Sequence, residues 1–283
     1  MTKIGYGIGV GMLLAALAAG FFWWRSTTSP APLAPVVEVA TARPPTPLPS
    51  AVEPAVRYPI EAPLAASAPH GETAAHATEP ASRFKTALDE LLGPPAVQQW
   101  VQLGDFARRL VATVDNLGRA HAAPQLWPVN PTTGRFSPSE TPQGQLIATT
   151  NQARYAAFVS LVESVDGSRA VAVYRGLYPL FQSAYEDLGF PNRHFNDRLV
   201  DVIDHLLATP EPSEPLAVHL VQVKGIVPST RPWVRYEFSN AEHEARSAGQ
   251  KILLRMSLDQ QRRLKAKLVE VRRLVTQRAA GGG

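Results

Sequence analysis

The chain has no cysteine. That excludes disulfides, thiolate metal sites and a cysteine nucleophile, and leaves the compartment open. No G-x-S-x-G, Walker or dinucleotide fingerprint occurs, so no nucleophile elbow or phosphate cradle can be read from motif alone. Aromatic residues are scarce in one long stretch. Residues 26–82 carry Tyr58 alone, against twelve prolines. Such a segment buries too little apolar surface to offset its ordering entropy, so it reads as a disordered Pro/Ala-rich linker. A Pro-rich chain of that length reaches ~180 Å when extended and averages about 40 Å end to end as a coil.

What precedes the linker is an apolar run, Ile4–Trp24, without a charge. Crossing a hydrocarbon core takes ~20 apolar residues, so residues 1–25 read as a single transmembrane anchor. Phe21, Phe22, Trp23 and Trp24 stand where aromatic rings favour the headgroup layer. Ala16-Leu17-Ala18 also has the form of a signal-peptide cleavage site. Cleavage there would leave a greasy mature terminus, Ala19-Gly20-Phe21-Phe22-Trp23-Trp24, and the uncleaved anchor is the better reading. Lys3 lies upstream, and after Arg25 no cation follows until Arg43. The positive-inside rule then puts the N-terminus in the cytoplasm and the remaining chain in the periplasm of a bacterial inner membrane. Gly7, Gly11, Ala15 and Ala19 form a small-residue stripe that admits a homodimer through the span.

Residues 83–279 read as a helical globular domain. Phe84, Leu88, Leu91 and Leu92 form one apolar stripe, ended by Gly93-Pro94-Pro95. Further stripes run through Leu103–Leu117, Tyr155–Val162, Val171–Leu188 and Leu199–Leu206. Pro179 predicts a kink or break in the fourth. Ser239 with Glu242, and Ser257 with Gln260, read as capping boxes. Residues 119–150 read as an exposed loop, and weak alternation over 216–236 admits a short β-hairpin. The fold class is therefore mainly α: anchor, linker, then a multi-helix domain with a small β element.

The densest polar and aromatic segment runs from Tyr174-Arg175-Gly176-Leu177-Tyr178-Pro179-Leu180-Phe181 through Phe195-Asn196-Asp197-Arg198-Leu199-Val200 to Ile203-Asp204-His205-Leu206-Leu207-Ala208-Thr209-Pro210. Together with Ser247-Ala248-Gly249-Gln250-Lys251-Ile252-Leu253-Leu254-Arg255-Met256, it resembles a family of bacterial single-span envelope proteins catalogued only as a domain of unknown function. The resemblance covers roughly residues 83–278. It implies the same layout of anchor, tether and helical domain, and brings no activity.

Three chemistries are worth weighing. Asp197, Asp201 and His205 recur at four-residue steps, which makes them weak candidates for a zinc or manganese site on one helix face. That face lies opposite an apolar stripe, as on any amphipathic helix, and Asn196, Asp197 and Arg198 are rather expected to make capping and ion-pair contacts between helices. Glu163-Ser164 follows an apolar stripe and invites comparison with lytic transglycosylases, but the Gly-rich and Met-Gln segments that should follow are missing. The last helix is basic. Arg262, Arg263, Lys265, Lys267, Arg272 and Arg273 form either a solvated face or a patch for an anionic surface, lipid or wall polymer. Nucleic acid is not expected, for want of interleaved exposed aromatics. No cofactor is implied. The expected role is a membrane-anchored binding or scaffolding module with an envelope-protein or cell-wall partner; the alternative is a cell-wall-acting hydrolase or metal-dependent enzyme.

Overall fold

A computed structural model describes residues 55–60, 78–222 and 231–277. The expected anchor, its stripe at Gly7, Gly11, Ala15 and Ala19, and the linker apart from residues 55–60 and 78–82 lie outside the described residues; the linker's last residues, 78–82, are corrected to the start of a helix. Among the described residues no helix is long and apolar enough to cross a membrane.

The long helices come where the stripes place them, while the short ones at Pro94–Trp100 and Ala248–Leu254 lie on none. α1 (Thr78–Leu92) gives way at Gly93, whose φ of 83° suits a residue without Cβ. Pro94 and Pro95 then open α2 (Pro94–Trp100), where a missing N–H costs nothing. α3 (Phe106–Leu117), α4 (Gln152–Ser164), α5 (Gly167–Asp187) and α6 (Phe195–Leu207) follow. α5 runs through Pro179 as one helix, so the expected break does not occur. Proline removes one i→i−4 bond, and packing of the same turns outweighs that loss: Leu177, Tyr178 and Phe181 are all buried.

The two β expectations are revised in opposite ways. The hairpin appears as β3 (Ala217–Leu220) paired antiparallel with β4 (Tyr236–Phe238). The loop reading of 119–150 is corrected. β1 (Pro138–Thr141) and β2 (Gly144–Ile147) lie within it and complete a four-stranded antiparallel sheet of order β1-β2-β3-β4. The remainder of that stretch is pinned to the helices. Arg109 donates through Nη1 to the Gln125 carbonyl at 2.6 Å, and Asn130 donates to the Gln99 carbonyl at 2.7 Å. One sheet face is covered by Leu254, which packs with Val218 and Phe238.

α7 (Ala241–Glu244), α8 (Ala248–Leu254) and α9 (Leu258–Thr276) finish the chain. The capping box of Ser257 and Gln260 is present. At α7 the cap is Asn240, not Ser239: its carboxamide oxygen accepts from the N–H groups of Glu242 and His243 at 2.8 and 3.2 Å. α9 packs on α4, α5 and α6, and α3 packs on α5, α6 and α8. The last turn of α9 is held from α5 and α6. Arg175 donates to the carbonyls of Leu274 and Gln277 at 2.8 and 2.9 Å, and Asn196 donates to that of Val275 at 3.2 Å. A cation there also complements the helix dipole.

The largest core cluster joins Phe84, Val111, Tyr178, Phe181, Tyr185 and Phe195 from α1, α3, α5 and α6. Each such side chain, fully buried, contributes about 1.5–3 kcal/mol. A second cluster joins Val159, Val202, Leu206, Leu253 and Leu264, closing α4, α6, α8 and α9 around one another.

Candidate functional site

Most cations of α9 are paired within their own domain. Arg262 and Lys265 both bond Glu211, at 2.8 and 2.9 Å. Lys265 also donates to the Thr209 carbonyl. Lys267 donates to the Val165 carbonyl at 2.9 Å and pairs with Glu270. Arg263 forks onto Glu163, and Arg272 forks onto Asp204. Arg273 alone of the six makes no side-chain pair among the described residues. The helix is therefore stapled to its surroundings by five of its expected patch cations.

Glu163 is placed against the role that a glycosidase acid would need. A general acid needs its pKa raised. The hydrogen bond from Arg263 instead holds the Glu163 carboxyl below the usual range. Ser164 beside it donates to the Leu161 carbonyl at 2.8 Å.

Asp197 and Asp201 are brought together, but around a guanidinium. Arg57 reaches Asp201 through Nη2 at 2.7 Å and lies 4.0 Å from Asp197. His205 stands a turn further on; its carbonyl accepts from Gln250 at 3.0 Å. No set of three His, Cys, Asp or Glu side chains among the described residues is arranged to hold a metal ion.

The residues around Arg57 form the most specific contact in the domain, and composition alone hid it. Residues 55–60 come from the stretch read as linker. They lie across the start of α6 as a short strap. The two carboxylate oxygens of Asp197 accept the main-chain N–H groups of Arg57 and Tyr58, at 3.0 and 2.8 Å. Asn196 donates to the Tyr58 carbonyl at 2.9 Å. Tyr58 packs with Val171, Val200 and Val275, and Ile60 packs against the large cluster. Recognition is thus by backbone, fixed by one aromatic and one aliphatic side chain. Asn196 is fully buried and also accepts from the Tyr174 hydroxyl at 3.1 Å, so one carboxamide ties strap, α5, α6 and α9. The expected capping and ion-pair contacts between helices are made by Asn196, which bonds the Val275 carbonyl, and by Arg198, which pairs with Asp115, whereas Asp197 serves the strap and not a helix. The missed signal was Tyr58 itself, the single aromatic of the linker, followed by Pro59 and Ile60.

Beside the strap opens a cleft of about 460 Å³. Its lining includes an ion cluster. Asp115, 7 % exposed, accepts from Arg198 Nε at 2.8 Å and from Arg119 Nε at 2.9 Å, and its carbonyl accepts from Arg198 Nη2 at 2.8 Å. Tyr185, Phe190, Arg193 and His194 also line it, together with Ala55 and Arg57 of the strap. Burial pushes the Tyr185 hydroxyl up in pKa, so it remains a donor at neutral pH. Neither Asp115 nor Tyr185 stood out in the sequence, because each lies in an ordinary amphipathic stripe.

No curated protein and no solved structure matches the chain. The family described as "Protein of unknown function (DUF3014)" matches residues 106–272, from α3 to within a turn of the end of α9, and thus takes in every group of the cleft except those of the strap. This is more than half of the sequence, and the chain belongs to that family.

Proposed function

We propose that the protein is a membrane-anchored binding module of the bacterial envelope, with its helical domain in the periplasm, and that the domain captures extended polypeptide. The observation that carries this reading is the strap. Asp197 and Asn196 bond the backbone of residues 57 and 58, which a binding surface for extended chain must do. Two side-chain pockets then set the register, one for Tyr58 and one for Ile60. The tether fills this surface in cis, and a partner segment of like chemistry, a cation followed by an aromatic residue, competes with it. Placement in the inner membrane with a cytoplasmic N-terminus follows from the Ile4–Trp24 run and its flanking charges.

The test uses the full-length chain carrying Arg57→Ala and Tyr58→Ala, which loosens the strap. A fluorescent peptide with the sequence of residues 53–62 should bind it saturably. Adding Asp197→Asn, which leaves one acceptor oxygen in place of two, should weaken that binding at least about tenfold. No saturable binding, or binding indifferent to Asp197, would sink the reading. Topology is checked separately: a reporter joined after Gly283 that is active only in the cytoplasm would overturn the orientation.

A further inference from the structure

The Tyr185 end of the cleft holds groups that the strap does not use. The ring of Tyr185 is 2 % exposed and stacks on Phe190 at 4.7 Å. Its hydroxyl nonetheless makes no hydrogen bond among the described residues, and the side chain lines the cleft. Arg119 and Arg198 share the carboxylate of Asp115 through Nε, and Arg119 also through Nη2. Nη1 of each is left without a hydrogen bond among the described residues. Arg193 is exposed and lines the cleft, and its guanidinium has no carboxylate partner among the described residues.

The charges facing this space can be set against one another. The lining residues are Arg57, Arg119, Arg193 and Arg198, opposed by Asp115, Asp197 and Asp201, with His194 beside them. Asp197 and Asp201 are engaged by the strap and Arg57, and Asp115 serves two arginines. The excess cation therefore sits at the Tyr185 end. Guanidinium forks match planar oxyanions two bonds at a time. The volume is that of a small-ligand site.

We propose that this end of the cleft is an oxyanion site: Arg193, with the free edges of Arg119 and Arg198, grips a carboxylate or phosphate group, and the Tyr185 hydroxyl donates to the same group. The proposal deepens the binding-module reading and rests on it. It says that a captured ligand presents an anionic end next to its extended backbone. The chemistry is common to a free peptide carboxylate and a phosphate, and the test separates the two.

Full-length protein in detergent is titrated calorimetrically with three probes: N-acetyl-Ala-Ala as the free acid, the same dipeptide as its C-terminal amide, and inorganic phosphate. At least one anion should bind and the amide should not. Binding of the acid alone identifies a peptide end, and binding of phosphate alone identifies a phosphate group; either supports the site. Arg193→Gln should weaken the bound anion by at least about tenfold, the size of one charge-assisted hydrogen bond. Tyr185→Phe keeps the buried ring and should weaken it severalfold. Thermal midpoints of both variants report that the fold is kept, and the exposed Arg193 serves alone if Tyr185→Phe unfolds. Failure of both anions to bind, equal binding of acid and amide, or indifference to Arg193→Gln would each overturn the proposal. Failure of the strap peptide to bind leaves this titration unaffected, so the two readings fail separately.

Discussion

Asn196 offers the sharpest check on how the domain is held together. It is fully buried, and its carboxamide makes three hydrogen bonds: to the carbonyls of Tyr58 and Val275, and from the hydroxyl of Tyr174. Burial raises the Tyr174 pKa well above its ordinary value, so the phenol is a donor throughout the working range. Asn196→Ala removes all three bonds, worth about 1 kcal/mol each in net terms. It also strands the buried Tyr174 hydroxyl, and leaving a buried donor unpaired adds a penalty of about 1–3 kcal/mol. Some relaxation toward water at the strap offsets part of this, and a loss on the order of 3–4 kcal/mol is expected. For a domain of this size each kcal/mol moves the thermal midpoint by roughly 2–4 °C, so the midpoint should fall by about 6–16 °C. Urea unfolding gives the free energy directly, and an unchanged slope shows that the same surface is exposed. Asn196→Asp keeps the acceptor but loses both donations and buries a charge, and it should be at least as damaging. A second readout separates global from local loss. Trypsin should cut after Arg57 faster in the variant under native conditions, because the strap has lost one of its three backbone bonds. A loss below about 1 kcal/mol together with unchanged cleavage at Arg57 would refute the claim that this carboxamide joins strap, α5, α6 and α9.

Other expectations follow from single positions. A Cβ at Gly249 would stand 2.5 Å from Leu206 Cδ2 and 2.9 Å from the Leu117 carbonyl oxygen, which cannot move alone. Gly249→Ala should therefore cost about 1–3 kcal/mol in urea despite the better helix propensity of alanine, whereas Gly167→Ala meets only the flexible end of Glu270 and should be near neutral. Asn240→Ala should cost about 1 kcal/mol and Ser239→Ala nothing measurable, because Asn240 caps α7; the reverse order would restore the Ser239 cap. In acid, Glu163, Asp204 and Glu211 have folded pKa values held down by hydrogen bonds from Arg263, Arg272 and Arg262, the last helped by Lys265. A depressed folded pKa gives stability that is present above the unfolded value of about 4 and is lost as pH falls through the folded one. Calorimetric midpoints should hold from neutrality to about pH 5 and then decline. The triple Gln/Asn variant at these three positions should show a shallower acid limb, and an identical limb would show that these pairs carry no linkage.

Much of the helical architecture was legible because apolar side chains recur with the helical period and Gly93-Pro94-Pro95 and Ser257-x-x-Gln260 punctuate it. The sheet was half legible. β3 and β4 alternate weakly, while β1 and β2 are four-residue strands whose sequences, Pro-Ser-Glu-Thr and Gly-Gln-Leu-Ile, have too few alternating positions to announce themselves. Of the six cations of α9, the count was legible and the partners were not. Glu163, Asp204 and Glu211 lie 51 to 100 residues away from the arginines that they bond. The aspartates of α6 were visible as a row, but their occupant arrives from 140 residues upstream.

The sequence by itself determined most of the domain's helices, its cysteine-free chemistry, and the apolar run and proline-rich stretch that precede it, since these depend on composition and near-neighbour periodicity. Tertiary structure decided which charges are neutralised, which carboxylates serve a backbone, and where a cleft lined by Tyr185 and several arginines lies. Those are matters of approach between residues distant in the chain, and a periodicity of 3.6 or 2 holds no record of them.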